Sequence, residues 1–312
     1  MTKQTFTDEQ LKSLSAAEII EKIKHENYSL LDTLNAAKLR KEMIPVGKVC
    51  HLVINYFVAA GNPTKARQRI IKTFRKLAPA KYQKNAFPHD AKNGLVIGFN
   101  HPSLGEILRI ILMKVDILSE KPMLFPVSLP WYEAIAADYD KLKSIGVIIT
   151  PTITPSVWNK LNLTESDPLY ATVNQLKRDF RNIYTTLSHD NVKNGGIIFV
   201  APSATRQSTV FKSKDVYDKR EDIIPTMSIL ALSLYQDPKM DCDFLPLAIL
   251  PPKDYKRGLN LYKPYQLIPG KIMTATDIRK KYFKTKNPKR LDGFDYDFHI
   301  QIAKQLPKDF WY

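Results

Sequence analysis

The chain has 312 residues, 44% of them hydrophobic, and carries 47 Lys and Arg against 31 Asp and Glu, for a net charge of +16. That length supports a full core in one large domain or two unequal ones. Two cysteines exclude a disulfide framework, and no apolar run reaches the roughly 20 residues that span a bilayer. The polar opening Met1-Thr2-Lys3-Gln4 has no signal-peptide core, so a reduced cytosolic setting is the simplest expectation.

Thr7-Asp8-Glu9-Gln10 opens a helical pattern through Leu11, Leu14, Ile19 and Ile23, and the periodicity predicts further helices over 30–43, 48–60 and 64–77, closed by Ala78-Pro79-Ala80. Residues 1–84 are thus expected to form a helical N-terminal domain. From about residue 85 apolar strands at 95–99, 123–127, 146–149, 197–200 and 244–250 alternate with helices such as 103–118, 169–187 and 223–235. The alternation predicts an α/β domain over 85–312, a mixed sheet flanked by helices, with a basic C-terminal extension. There is no Gly/Ser linker, repeat or low-complexity tract.

The first strand runs into His101-Pro102-Ser103-Leu104-Gly105-Glu106, which puts an imidazole and a carboxylate at a strand-to-helix corner, where α/β proteins commonly place their sites. A hydroxyl is a poor nucleophile at neutral pH, so a neutral imidazole must take its proton as it attacks a thioester. A carboxylate on the other ring nitrogen would fix the tautomer and stabilise the imidazolium that forms. Ser103-Leu104-Gly105-Glu106 equally fits a capping box, in which Glu106 is structural. Both readings of Glu106 stand at this point.

Further blocks follow downstream: Ala201-Pro202-Ser203-Ala204-Thr205-Arg206 after the strand Ile197–Val200, and Phe244-Leu245-Pro246-Leu247-Ala248-Ile249. In order and approximate spacing these blocks resemble those of the glycerolipid acyltransferases, the family of glycerol-3-phosphate and lysophosphatidate acyltransferases. Asn100-His101 to Glu106 resembles the Asn-His-x4-Asp block, with Glu for Asp. Pro202 to Arg206 resembles the Pro-Glu-Gly-Thr-Arg block and is closer still to the Ala-Pro-Ser-Gly-Gly-Arg of the plastid-type enzymes. The strand with Pro246 resembles the fourth block. The likeness spans about residues 85–260, and the helical N-terminal extension is also similar to the plastid type.

The resemblance implies an acyltransferase-type sheet, His101 as general base, Glu106 as its orienting carboxylate, and Arg206, with Ser203 and Thr205, on the acceptor. It implies acyl-CoA or acyl carrier protein as donor and a glycerol phosphate or lysolipid as acceptor, with no cofactor and no metal. Two positions depart from the pattern. The second block should supply a cation after a strand, but Ser144-Ile145-Gly146-Val147-Ile148-Ile149 runs into Thr150-Pro151-Thr152, and Ser208 stands where the plastid type has a second Arg. Arg206 is therefore the only matched cation, and its bidentate fork suits a phosphate. Backbone N–H groups near Gly105 or Ser203 are candidates for an oxyanion site.

The charge is concentrated. Residues 64–84 hold eight cations and no acid, and residues 253–290 hold twelve against Asp254 and Asp277, so these stretches together account for +18. Ile70, Ile71, Phe74 and Leu77 share one helical face ringed by cations, the pattern of a helix lying on an anionic membrane or of any surface helix packed on its own core. A peripheral protein at the cytosolic membrane face is the expectation. Basic stretches interleaved with Tyr255, Tyr262, Tyr265, Tyr282 and Phe283 also admit nucleic-acid binding on an inactive acyltransferase-like fold, although no nucleic-acid motif is present. Hydrolase, nucleotide-binding and zincin motifs are missing. Three Asp-x-Asp triplets, at 138–140, 241–243 and 295–297, are short enough to recur by chance, and the remaining histidines have no ligand spacing.

Overall fold

A computed structural model describes residues 54–56, 62–83, 86–87, 94–103, 105–118, 121–129, 132, 135, 138–154, 158–159, 162–203, 207–218, 223–237, 239–256, 258, 260–285, 288 and 291–312. The helices expected before residue 54 lie outside them. In chain order the main elements are α1 (Pro63–Leu77), β1 (Ala80–Lys81), β2 (Gly94–Phe99), α2 (Gly105–Ile117), β3 (Met123–Ser128), α3 (Tyr139–Ser144), β4 (Val147–Thr152) and α4 (Pro168–Lys193). They continue with β5 (Ile197–Val200), α5 (Lys214–Asp218), α6 (Thr226–Leu234), β6 (Cys242–Leu250), β7 (Tyr265–Pro269), α7 (Ala275–Tyr282) and α8 (Phe294–Ala303). The fold is α/β, with a mixed, mostly parallel sheet and flanking helices.

The chain divides into two compact units, Met1–Ala66 with Leu124–Leu187, and Arg67–Met123 with Ser188–Tyr312. In the first, β3 and β4 are neighbouring strands. Gly146, at φ 75°, turns the end of α3 into β4, a left-handed step that a residue with a Cβ would make only at a cost. The segment read as the second block, Ser144–Thr152, is this turn and strand.

In the second unit the strand order is β1-β7-β6-β2-β5. β2 lies between β5 and β6, parallel to both, which is why Gly94–Phe99 is buried at every position and shows no alternation. β6 turns antiparallel onto β7 through pairs such as Ala248 with Ile268. α8 packs on β6 through an aromatic cluster in which the Phe244 and Phe294 rings stand 5.5 Å apart. Gly98 makes that packing possible, because a Cβ there would lie 2.4 Å from the Phe298 ring. Residues after 260, which the sequence presents as a basic extension, thus supply a strand of the sheet and a helix on its face.

Of the apolar face of α1, Ile70 and Phe74 are 3% and 5% exposed and Ile71 and Leu77 half-buried, which fits a surface helix packed on its own core. Lys65, Arg69, Lys72, Arg75 and Lys76 of α1 are exposed, with Arg75 paired to Asp116 at 3.0 Å, while Arg67 is half-buried. Among the described residues no helix is long and apolar enough to cross a membrane.

Candidate active site

His101 follows the C-terminal end of β2, and the corner is held from three sides. The Asn100 side chain bonds both main-chain groups of Ile249, donating to its carbonyl at 2.9 Å and accepting from its N–H at 2.6 Å, so it continues the β2–β6 ladder after the main chain has turned away. The His101 carbonyl accepts from the Gln207 N–H at 3.0 Å, which ties the loop after β5 to the corner. Helix α2 brings back Glu106.

The imidazole Nδ1 bonds directly to Glu106 Oε1. The Glu106 side chain is fully buried while that of His101 is 18% exposed, so the pair runs from the interior to the surface. A carboxylate accepts, so Nδ1 is the donor in this bond. The capping reading also holds. Ser103 N–H donates to Glu106 Oε1 at 3.4 Å and Ser103 Oγ to Oε2 at 2.8 Å, while Gly105 N–H donates to Ser103 Oγ at 2.9 Å. One carboxylate therefore closes the first turn of α2 and orients the imidazole.

Two residues that the sequence did not assign to this site complete the network. Tyr265 Oη lies 2.9 Å from Ser103 Oγ. Since the Ser103 proton goes to Glu106, Tyr265 donates, and Ser103 then accepts twice and donates once. Arg109, one turn beyond Glu106, is fully buried, stacks its guanidinium 4.4 Å above the Tyr265 ring, and donates to the carbonyls of Gly105 at 2.8 Å, Asn260 at 2.7 Å and Lys263 at 2.8 Å. Burial pulls the Arg109 pKa down, opposed by Tyr265 and the Glu106 charge. It is the buried counter-charge to Glu106. The sequence signal was faint: Arg109 sits in an apolar helix, where a cation must find acceptors, but nothing local points to a strand 156 residues later.

Ser203 lies in the turn after β5, 9% exposed, and lines a small recess with Phe99, Asn100, Gln207 and His299. The third block is thereby adjacent to the first. Thr205 and Arg206 lie outside the described residues, so the structure gives the acceptor cation no position. Gly105 is no oxyanion donor, because its N–H is already bonded to Ser103 Oγ.

His299 is buried, and its Nδ1 bonds the Asp295 carbonyl at 2.7 Å. Burial pushes its pKa down to about 4, so the ring is neutral. The Asp-x-Asp triplets have structural partners. Asp295 accepts from Met227 N–H at 2.8 Å and from the Ser228 hydroxyl, Asp243 from Ala275 N–H at 3.1 Å, Asp138 from Lys141 at 2.9 Å, and Asp297 from Lys281 at 2.7 Å. Cys242 is a free thiol pushed up to about 12 by burial, which makes it a poor nucleophile.

No protein-family model matches the chain, and no curated protein matches it. The site is therefore read from its own geometry.

Proposed function

We propose that the chain is an O-acyltransferase that moves a fatty acyl group from a thioester, acyl-CoA or acyl carrier protein, to a hydroxyl of a glycerol phosphate or lysophospholipid. The observation that carries this reading is the imidazole whose Nδ1 is bonded to a buried carboxylate and whose other nitrogen is left for substrate, at the C-terminal end of a parallel strand. His101 Nε2 takes the hydroxyl proton as the oxygen attacks the thioester carbonyl. Glu106, held by Ser103, keeps the ring in the required tautomer and stabilises the imidazolium. That proton then goes to the departing thiolate. No enzyme nucleophile is needed. The resemblance to glycerolipid acyltransferases, carried by the Asn100-His101, Pro202-Ser203 and Pro246 blocks, supports the same reaction and a peripheral site of action at the cytosolic membrane face.

An activity screen tests the reading, pairing acyl-CoA and acyl-carrier-protein donors with glycerol 3-phosphate, lysophosphatidate and an unphosphorylated alcohol. Transfer that depends on His101 is the expected result; no transfer with any pair sinks the assignment. Within the same screen Arg206→Ala should raise KM sharply for a phosphorylated acceptor and hardly for a neutral alcohol.

A further inference from the structure

The two cationic stretches of the sequence meet in space. Tyr262 N–H donates to the Leu77 carbonyl at 2.7 Å and Tyr265 N–H to the Pro79 carbonyl at 3.1 Å, so the loop before β7 lies against the C-terminal end of α1. Lys72 and Lys76 of that helix and Lys253 and Lys256 of the loop are exposed. Beside them Leu261 is 40% and Tyr262 69% exposed.

The backbone holds these apolar side chains outward at a cost. Asn260 and Tyr262 have φ of 48° and 64°, and the left-handed region that Asn tolerates is unfavourable for a residue such as tyrosine. The loop is nonetheless pinned. The Asn260 side chain accepts from Lys256 N–H at 2.7 Å and donates to the Gly258 carbonyl at 2.9 Å, Lys263 pairs with Asp254, and Arg109 grips the Asn260 and Lys263 carbonyls. These contacts hold Asn260–Lys263 in a conformation that presents a bulky aromatic to solvent, which lowers the ordering cost of binding.

We propose that Lys253–Lys256, Asn260–Lys263 and the last two turns of α1 form a docking surface for an anionic phospholipid bilayer, with Leu261 and Tyr262 as the interfacial anchor. Its partner class rests on the lipid-acyltransferase reading; its geometry does not. The lysines match anionic headgroups, and the tyrosine, apolar in body and polar at its tip, suits the headgroup level. Leu261 decides for lipid: an aliphatic side chain gains from the acyl boundary and nothing from the phosphates of a nucleic acid. Arg109 clamps this surface from the helix that also carries Glu106, so docking holds the base at the membrane that supplies the acceptor.

Co-sedimentation of the full chain with phosphatidylcholine vesicles, with and without phosphatidylserine, tests it. Binding should require the anionic lipid and weaken with salt. Lys72→Gln and Lys76→Gln should each lower the partition coefficient about fivefold. Tyr262→Gly is the sharper variant, since glycine is at ease at that φ: vesicle binding should fall several-fold while Tm holds or rises. Wild-type binding by the Leu261→Ser, Tyr262→Gly double variant overturns the proposal, as does a wild-type chain that ignores anionic vesicles but binds an acidic carrier protein or single-stranded RNA. Vesicle binding without acyl transfer would leave the surface standing and remove the enzyme reading. Transfer to a dispersed short-chain acceptor without vesicle binding would do the reverse.

Discussion

Among the described residues there are two histidine–acid pairs of similar spacing, His101 with Glu106 and Asp295 with His299, and they end in different contacts. Both acids stitch the first turn of a helix. Glu106 accepts from Ser103, and Asp295 accepts from Met227 and Ser228 at the start of α6. Of the two, only Glu106 also meets an imidazole. His101 sits before its helix, in the corner, where its ring faces the Glu106 carboxylate. His299 sits within α8, four residues after an acid whose oxygens point to another helix, and its ring finds only the Asp295 main-chain carbonyl. Spacing brings the residue types close, and the direction in which the fold points the carboxylate decides whether it meets the imidazole.

The comparison breaks most directly through the histidines. His101→Ala should lower transfer by about 10²–10⁴-fold, the usual cost of losing a general base, while His299→Phe should leave turnover largely intact because that ring can pack against Phe211. Initial rates of the two folded variants give the answer; equal losses would erase the distinction.

Glu106→Gln separates the two duties of the carboxylate. The amide can keep a capping contact with Ser103 but cannot balance an imidazolium, so kcat should fall about a hundredfold with little change in Tm. A fully active variant would leave Glu106 a cap and nothing more.

His299 carries the acid limb of stability. Its folded pKa is depressed to about 4 from 6.5, so between those values the unfolded chain binds a proton that the folded chain does not. Its neutral burial therefore costs nothing above pH 6.5 and an increasing amount as pH falls, levelling off below about 4 at roughly 3 kcal/mol. Denaturation midpoints across that range should flatten in His299→Phe relative to wild type. The smallest effect is expected at Tyr265→Phe, which removes one donor to Ser103 and strands no charge, for a loss of about 1 kcal/mol by denaturant unfolding. Ser103→Ala should cost more, because Gly105 and Glu106 both lose a partner.

The strands and longer helices from residue 94 onward were legible because each carries its own signal. The buried run Gly94–Phe99 and the long helix Pro168–Lys193 need only local pattern and length, whereas Gly146, expected as the first residue of a strand, is the left-handed turn before it. β7 and α8 were not. Tyr265–Pro269 is five residues with two prolines in reach, and Phe294–Ala303 buries Asp295 and His299 among its aromatics, so neither shows clean periodicity. The site divides the same way. His101 and Glu106 lie within one turn of each other, whereas Tyr265 and Arg109 are joined only once β7 enters the sheet.

By itself the sequence determined the α/β alternation, the imidazole and carboxylate at a strand end, and the two cationic stretches, since periodicity, short-range spacing and charge are properties of neighbouring residues. Tertiary structure decided the rest. It buried the apolar face of α1, gave one Glu106 oxygen to His101 and the other to Ser103, spent Asp295 on a helix cap, and brought Tyr262 against Leu77. Apolar surface leaves water wherever the fold covers it, and a buried polar group must find a partner wherever the fold supplies one. Partners 150 or more residues away are fixed by packing and leave no local trace in the chain.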